Sequence, residues 1–210
     1  FQEQGVISLI SNRTFLLLDQ MGLGKSPQAA IAAHCLFLLG RISKILIVCP
    51  KSVIPEWGRQ IRKFTTMDPA THNIIVINYD SIWRDKYAQE ISSFVDKNTL
   101  IVFDEIHRVS NRKAKSAKFC VAIADKAGWV WGLTGTIVKN KPEDTWNILR
   151  IVRMDTGGYW HFLRQFATLG NYYSKYAIKE YKRLDKLNEL IFSKALRRLK
   201  SDPNVIKDMP

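Results

Sequence analysis

Apolar residues along this chain gather in short, dense runs set between longer stretches of mixed character. The runs are "TFLLLD" (14–19), "KILIVCP" (44–50), "NIIVIN" (73–78), "TLIVFDE" (99–105) and "GWVWGLTGT" (128–136). Consecutive apolar positions of this length suit strands covered on both faces. Pro50 stops the second run, since proline cannot donate to a ladder. Between the runs the spacing turns helical. "SPQAAIAAHCLFLLG" (26–40) is rich in Ala and Leu, with Gly40 at the expected C-cap. "VIPEWGRQIRKF" (53–64) puts Ile54, Trp57, Ile61 and Phe64 on one face. "DSIWRDKYAQEISSF" (80–94) and "KSAKFCVAIADKA" (115–127) also read as helices. Strands alternating with helices predict an α/β fold, a parallel sheet flanked by helices. After about residue 141 only helical spacing is expected, ending near "LRRLK" (196–200). The predicted organisation is one α/β unit over 1–141 with a helical C-terminal extension over 142–210.

Two stretches carry chemistry. The first strand runs into "DQMGLGKS" (19–26) and a helix follows at once. That is the setting of a phosphate-binding loop. Gly22 and Gly24 let backbone N–H groups turn inward, and the helix start favours an anion. Lys25 supplies a point charge for the β- and γ-phosphates, and Ser26 a hydroxyl for Mg²⁺. The strict pattern asks for Gly where this chain has Asp19. The second stretch is "FDEIH" (103–107), where an apolar strand ends on two acids. Alone it is equally a turn that happens to open with carboxylates. Beside a bound Mg-nucleotide, Asp104 gains a role as metal ligand and Glu105 as general base. Each stretch supplies the charge that the other needs.

Composition narrows the partners. The 210 residues carry a formal net charge of +13, and 46% of them are hydrophobic. Such an excess favours polyanions, nucleic acid first and an acidic membrane surface second. The basic stretches "RVSNRKAKSAK" and "KEYKRLDKLNELIFSKALRRLK" are interleaved with apolar residues and read as folded faces. No run of about eighteen apolar residues occurs, so no membrane span is expected. The start, "FQEQGVISLI", does not read as a signal peptide. Cys35, Cys49 and Cys120 are scattered and odd in number, which suits a reducing intracellular compartment rather than a disulfide framework or a zinc site. His34, His72 and His161 make no ligand set.

The ordered series of motifs resembles the first RecA-like lobe of a superfamily-two helicase or translocase, in its Swi/Snf-like branch. "FQEQGV" resembles the opening glutamine motif, in which Gln2 would read the adenine. "DQMGLGKS" resembles motif I, so Asp19, Gln20, Met21, Gly22, Leu23, Gly24, Lys25 and Ser26 would surround ATP. "ILIVCPKSVIPEWGRQIRKF" resembles motif Ia and "IIVINYDSI" motif Ib. "DEIHRVSN" resembles the D-E-A-H form of motif II, and "LTGTIVKNKPEDTWNIL" resembles motif III. "LRRLKSDPNVIKDMP" resembles the basic segment that leads to the second lobe. Gln20 stands for the usual Glu, Ser26 for Thr, Asn78 for Thr, Ser110 for Lys, and Ile137 for Pro.

The resemblance implies an ATP-hydrolysing motor lobe with Mg²⁺, acting on nucleic acid, with duplex DNA favoured. His107 would link the ATP site to motif III through Thr134 and Thr136. Lys51, Ser52, Tyr79, Arg112 and Lys113 follow strands on loops, where phosphate contacts would form. Trp57, Trp131 and Trp146 read as packing residues. Lys25, Asp104, Glu105 and His107 are the expected catalytic set, with Ser26 and Asp104 on the metal. The family's arginine finger belongs to a second RecA-like lobe. Arg197 and Arg198 are expected to stay outside the site. No second lobe follows Pro210 and no Met opens the chain, so a piece of a longer protein is expected. Two rivals stay open: a strand-separating or branch-remodelling helicase, and a nucleotide-binding scaffold without turnover. The residues alone do not separate DNA from RNA.

Overall fold

The computed structural model describes residues 1–137, 141–154, 156–170 and 177–208. The chain opens with α1 (Gln2–Ser11), a helix the apolar pattern did not mark, then β1 (Thr14–Leu17) and α2 (Lys25–Leu38). There follow β2 (Lys44–Cys49), α3 (Ile54–Phe64), β3 (Ile74–Asn78), α4 (Asp85–Phe94), β4 (Thr99–Asp104), α5 (Lys115–Lys126) and β5 (Trp129–Leu133). The last third holds α6 (Thr145–Ile151), α7 (Tyr159–Phe166), β6 (Ala167–Leu169), β7 (Ile178–Tyr181), α8 (Leu184–Phe192), β8 (Ala195–Leu196) and α9 (Pro203–Asp208).

Six strands form one sheet in the order β3-β2-β4-β5-β1-β8, every pairing parallel. Because side chains alternate across a strand, each apolar run feeds two cores at once. Phe15, Leu17, Ile45, Ile47 and Trp131 face α1, α2 and α3, meeting Leu9, Ala29, Ala33, Trp57 and Ile61. Leu16, Leu46, Val48, Ile101, Phe103 and Val130 face the other way, onto Ile91, Cys120, Ile123, Ile148, Phe162 and Ile191. The small side chains of α2 let it lie close against the sheet. The helix closes as expected at Gly40, where Gly40 N–H meets Phe37 O at 3.0 Å and Arg41 N–H meets Leu36 O at 2.9 Å.

Three details differ from the sequence expectation. The helix expected from residue 80 begins at Asp85. Asn78 Oδ1 accepts the N–H groups of Asp80 and Ser81, each at 3.0 Å, and so holds a turn first. Phe64, expected on the buried face of α3, is its last residue and lies 39% exposed. The extension over 142–210 contains strands as well as helices. β6 and β7 pair antiparallel, and β8 joins the main sheet beside β1. A strand of two residues shows no periodicity of its own; the neighbouring β1 edge makes it one. Among the described residues, no helix is long and apolar enough to cross a membrane.

Candidate functional site

All six strands point the same way, so β1, β5 and β4 deliver their following residues to one edge of the sheet. β5 stands between the other two, and the ends of all three strands converge there. After β1 the chain turns through Gly22 (φ 89) and Gly24 (φ 73). Both lie in the left-handed region, where a side chain would be strained. Gly24 caps α2, so Lys25 and Ser26 occupy the first turn, beside N–H groups that have no partner within the helix. Lys25 is nearly buried, and its Nζ donates to Asp19 O at 2.8 Å and Gln20 O at 3.5 Å. Burial pushes its pKa down, while Glu105, Asp104 and Asp19 pull it back up. Ser26 is half-buried at the mouth of this turn. Gln2 Nε2 lies 3.5 Å from Leu23 O, so the N-terminal helix rests its amide on the loop. Leu23 is buried under the loop and Met21 is exposed above it.

Asp104 ends β4 with only 6% of its surface exposed. Trp57 Nε1 donates to its Oδ2 at 2.8 Å. Burial raises its pKa, a nearby Glu105 adds to the rise, and the Trp57 bond and Lys25 oppose it. Trp57, expected as packing alone, is thus also a polar support of this carboxylate. Glu105 takes a left-handed conformation (φ 52, ψ 51), which costs a residue with a Cβ about 1–3 kcal/mol. The kink carries its carboxylate across to the end of β5. There Thr134, fully buried, places Oγ1 3.0 Å from Glu105 Oε2 and 2.9 Å from His107 Nδ1. His107 Nδ1 also stands 3.2 Å from Glu105 Oε2. A carboxylate only accepts, so the network places the ring hydrogen on Nδ1. Thr136 N–H donates to Thr134 Oγ1 at 3.1 Å, and Thr136 O lies 3.2 Å from that same hydroxyl. The stretches around 19–26, 104–107 and 134–136 therefore meet at one place.

Asp19 departs from its expected part. It is fully buried, and its carboxylate accepts Arg198 Nε at 2.9 Å and Gln28 Nε2 at 3.2 Å, with Arg198 Nη2 also bound to Oδ2. Its side chain is used to anchor the loop from behind. Arg198, expected outside the site, is the group that meets it.

The SNF2-related domain family model matches residues 2–210. This chain belongs to that family. As a SNF2-related domain it superimposes on the "SWI2/SNF2 ATPase core in complex with dsDNA" of Sulfolobus solfataricus with a TM-score of 0.79 and 26% identity, over 100% of this chain and 46% of that one. That match bears out the RecA-like fold. A SWI/SNF-related subfamily A-like protein 1 homolog of Caenorhabditis elegans is 28% identical over 100% of this chain and 32% of its own length. The DNA repair protein RAD5 of Cryptococcus neoformans is 27% identical over 79% of this chain and 16% of its own length. The SNF2-related domain thus spans a third or less of those two relatives.

The residues expected on nucleic acid are spread more widely in this SNF2-related domain. Lys51 and Ser52 are exposed on the 3-10 turn Lys51–Val53 that follows β2. Lys113 is exposed beyond the acidic motif. Arg112 sits with its guanidinium 3.8 Å from the centre of the Tyr159 ring, which ties the loop to α7. Tyr79 is a correction. It is 3% exposed, and its hydroxyl donates to Asp104 O at 2.8 Å, so it braces the end of β4 instead of reaching a phosphate. Trp131 is fully buried, as expected of a packing residue, and Trp146 is half-buried. Of the motif III stretch, residues 138–140 lie outside the described residues, as do 209–210 of the basic segment.

Proposed function

We propose that this chain is the first lobe of an ATP-driven motor that translocates on duplex DNA. The observation that carries the reading is the convergence of a Lys-bearing phosphate loop with an adjacent Asp–Glu pair whose Glu is bonded to Thr134. Lys25 binds the β- and γ-phosphates, and the start of α2 adds its N–H groups. Ser26 and Asp104 are hard oxygen donors that would hold Mg²⁺ beside the phosphates. When bound, Mg²⁺ neutralises charge on the phosphates. Among the described residues no group of three or more His, Cys, Asp or Glu gathers as a metal site, here or elsewhere, so the ion would depend on the nucleotide for its hold. Glu105 polarises the attacking water. Thr134 and His107 hold its carboxylate in one orientation and pass its state on to the end of β5. Gln2 contacts the adenine.

The net charge of +13 and the similarity to a Sulfolobus ATPase core in complex with dsDNA support DNA as the track. Lys51, Ser52, Arg112 and Lys113 are the contacts proposed to its phosphates. A second RecA-like lobe would close over the nucleotide and bring the arginine finger, worth about 10³–10⁵ in rate. The setting is intracellular. The test is steady-state phosphate release from this chain, with and without duplex DNA, beside Glu105→Gln. Expected are ATP binding, slow basal release, and its loss in Glu105→Gln. Release unchanged by Glu105→Gln would remove the proposed base. A strand-displacement assay with the second lobe present separates translocation from strand separation.

A further inference from the structure

Beyond β8 the chain does not leave the site. It continues along β1 into the phosphate loop, as three successive ladder bonds show: Leu16 N–H to Lys194 O (2.9 Å), Leu18 N–H to Leu196 O (2.7 Å) and Gln20 N–H to Arg198 O (2.9 Å). At the third rung Arg198 closes on Asp19 with two nitrogens. Its Nη2 also reaches Gln28 Oε1 at 2.8 Å, and Nη1 bonds Phe1 O. Gln28 Nε2 in turn donates to Leu23 O at 3.1 Å and Gly24 O at 3.2 Å, two carbonyls of the loop itself. Two residues on, Lys200 N–H donates to Gln20 Oε1 at 2.8 Å. Its side chain then lies over the loop: a Cβ built on Gly22 would stand 3.2 Å from Lys200 Nζ.

We propose that Lys200 is a second phosphate-binding cation of the nucleotide site, and that Arg198 is the positioning residue that puts it there. This rests on the ATP-binding reading above. A triphosphate carries more charge than one ammonium offsets, and Lys25 already spends donors on Asp19 O and Gln20 O. Lys200 is exposed, so its ammonium is open at this edge to an incoming phosphate. Gln20 stands where the resembled motif has Glu. It accepts the Lys200 N–H without setting a negative charge beside that ammonium. The carboxylate of Asp202 is engaged by Leu199 N–H at 2.7 Å. Arg198 is suited to the holding role because a planar guanidinium binds a carboxylate at two points, which a lysine cannot do.

The experiment is titration of the chain with a fluorescent ATP analogue, competed by ATP and by adenosine, with thermal unfolding of each variant. Lys200→Gln is expected to weaken ATP by about tenfold or more, the scale of one charge-assisted bond. Adenosine competition and the unfolding temperature should not change, and Lys200→Arg should recover most of the affinity. Arg198→Lys should weaken ATP similarly, and combining it with Lys200→Gln should add little, because the two act through one contact. A Lys200→Gln chain that is folded and binds ATP like the unaltered chain overturns the proposal. Full additivity overturns the part assigned to Arg198. Lys25→Ala is the control. Loss of ATP there, with none in Lys200→Gln, sinks this inference and leaves the ATP reading standing. No ATP binding by the unaltered chain sinks both.

Discussion

Trp57 donates its indole N–H to Asp104 Oδ2 across 47 residues of sequence, and so α3 supports the acid at the tip of β4. Trp57→Phe keeps most of the packing and deletes the donor. The buried carboxylate then loses a bond that favours its charged form. We expect a loss of about 1–3 kcal/mol in stability and a roughly tenfold higher Mg²⁺ requirement for ATP binding. Denaturant unfolding and nucleotide titration at graded Mg²⁺ would measure both. An unchanged Mg²⁺ requirement would show that the indole only fills space.

Asp104 itself is held at a cost. Burial raises its pKa, so the folded chain keeps the proton at pH values where the unfolded chain has lost it. Above the ordinary carboxylate range the group therefore subtracts from stability, and the penalty is relieved as pH falls through the raised value. Asp104→Asn should raise the unfolding temperature at neutral pH, with the gain shrinking in acid, and should abolish Mg²⁺-dependent turnover. Melting curves from pH 7 down to pH 4 test the sign. A variant that melts lower at neutral pH would contradict it.

The Thr134 hydroxyl donates to Glu105 and accepts from His107 Nδ1 and the Thr136 N–H. Thr134→Val has nearly the same shape and none of these bonds. Phosphate release should fall about 10- to 100-fold while ATP affinity holds, because orientation of the base is lost and the phosphate loop is untouched. Thr134→Ser should recover much of the rate. A Val variant that loses affinity and rate together would place the defect in folding.

Contacts from Lys51 and Lys113 to a backbone would be indifferent to sequence and sensitive to salt, since each bound phosphate releases counterions. Titrating two unrelated duplexes over a range of salt should give the same affinity for both and a linear fall of log affinity with log salt. Replacing Lys113 by Gln should lower that slope by roughly one unit. A preference for one duplex would count against a motor lobe.

Much of this was readable in advance where local chemistry decides the outcome. The runs at 44–49 and 99–104 are apolar on both faces because helices cover both, and the Gly-Leu-Gly-Lys turn declares its own backbone. Asp104 and Glu105 stood out because acids at the end of such a strand need partners. What escaped notice depends on distant pairing. Asp19 and Arg198 are 179 residues apart, and nothing local in either neighbourhood names the other. Tyr79 sits one residue past the end of β3, where sequence puts a loop. Only the packed fold shows its ring turned inward to Asp104. The α1 helix and the two-residue β8 take their form from the neighbours α2 and β1.

The left-handed kink at Glu105 has an implication for anyone improving this protein by selection. Glycine would adopt φ 52 without strain, but it would also leave the buried Thr134 hydroxyl without its carboxylate partner and loosen the unfolded chain, so Glu105→Gly should change the unfolding temperature little. If Glu105 is the base proposed above, a screen for heat resistance alone would be blind to its loss, and only a screen for phosphate release would keep it.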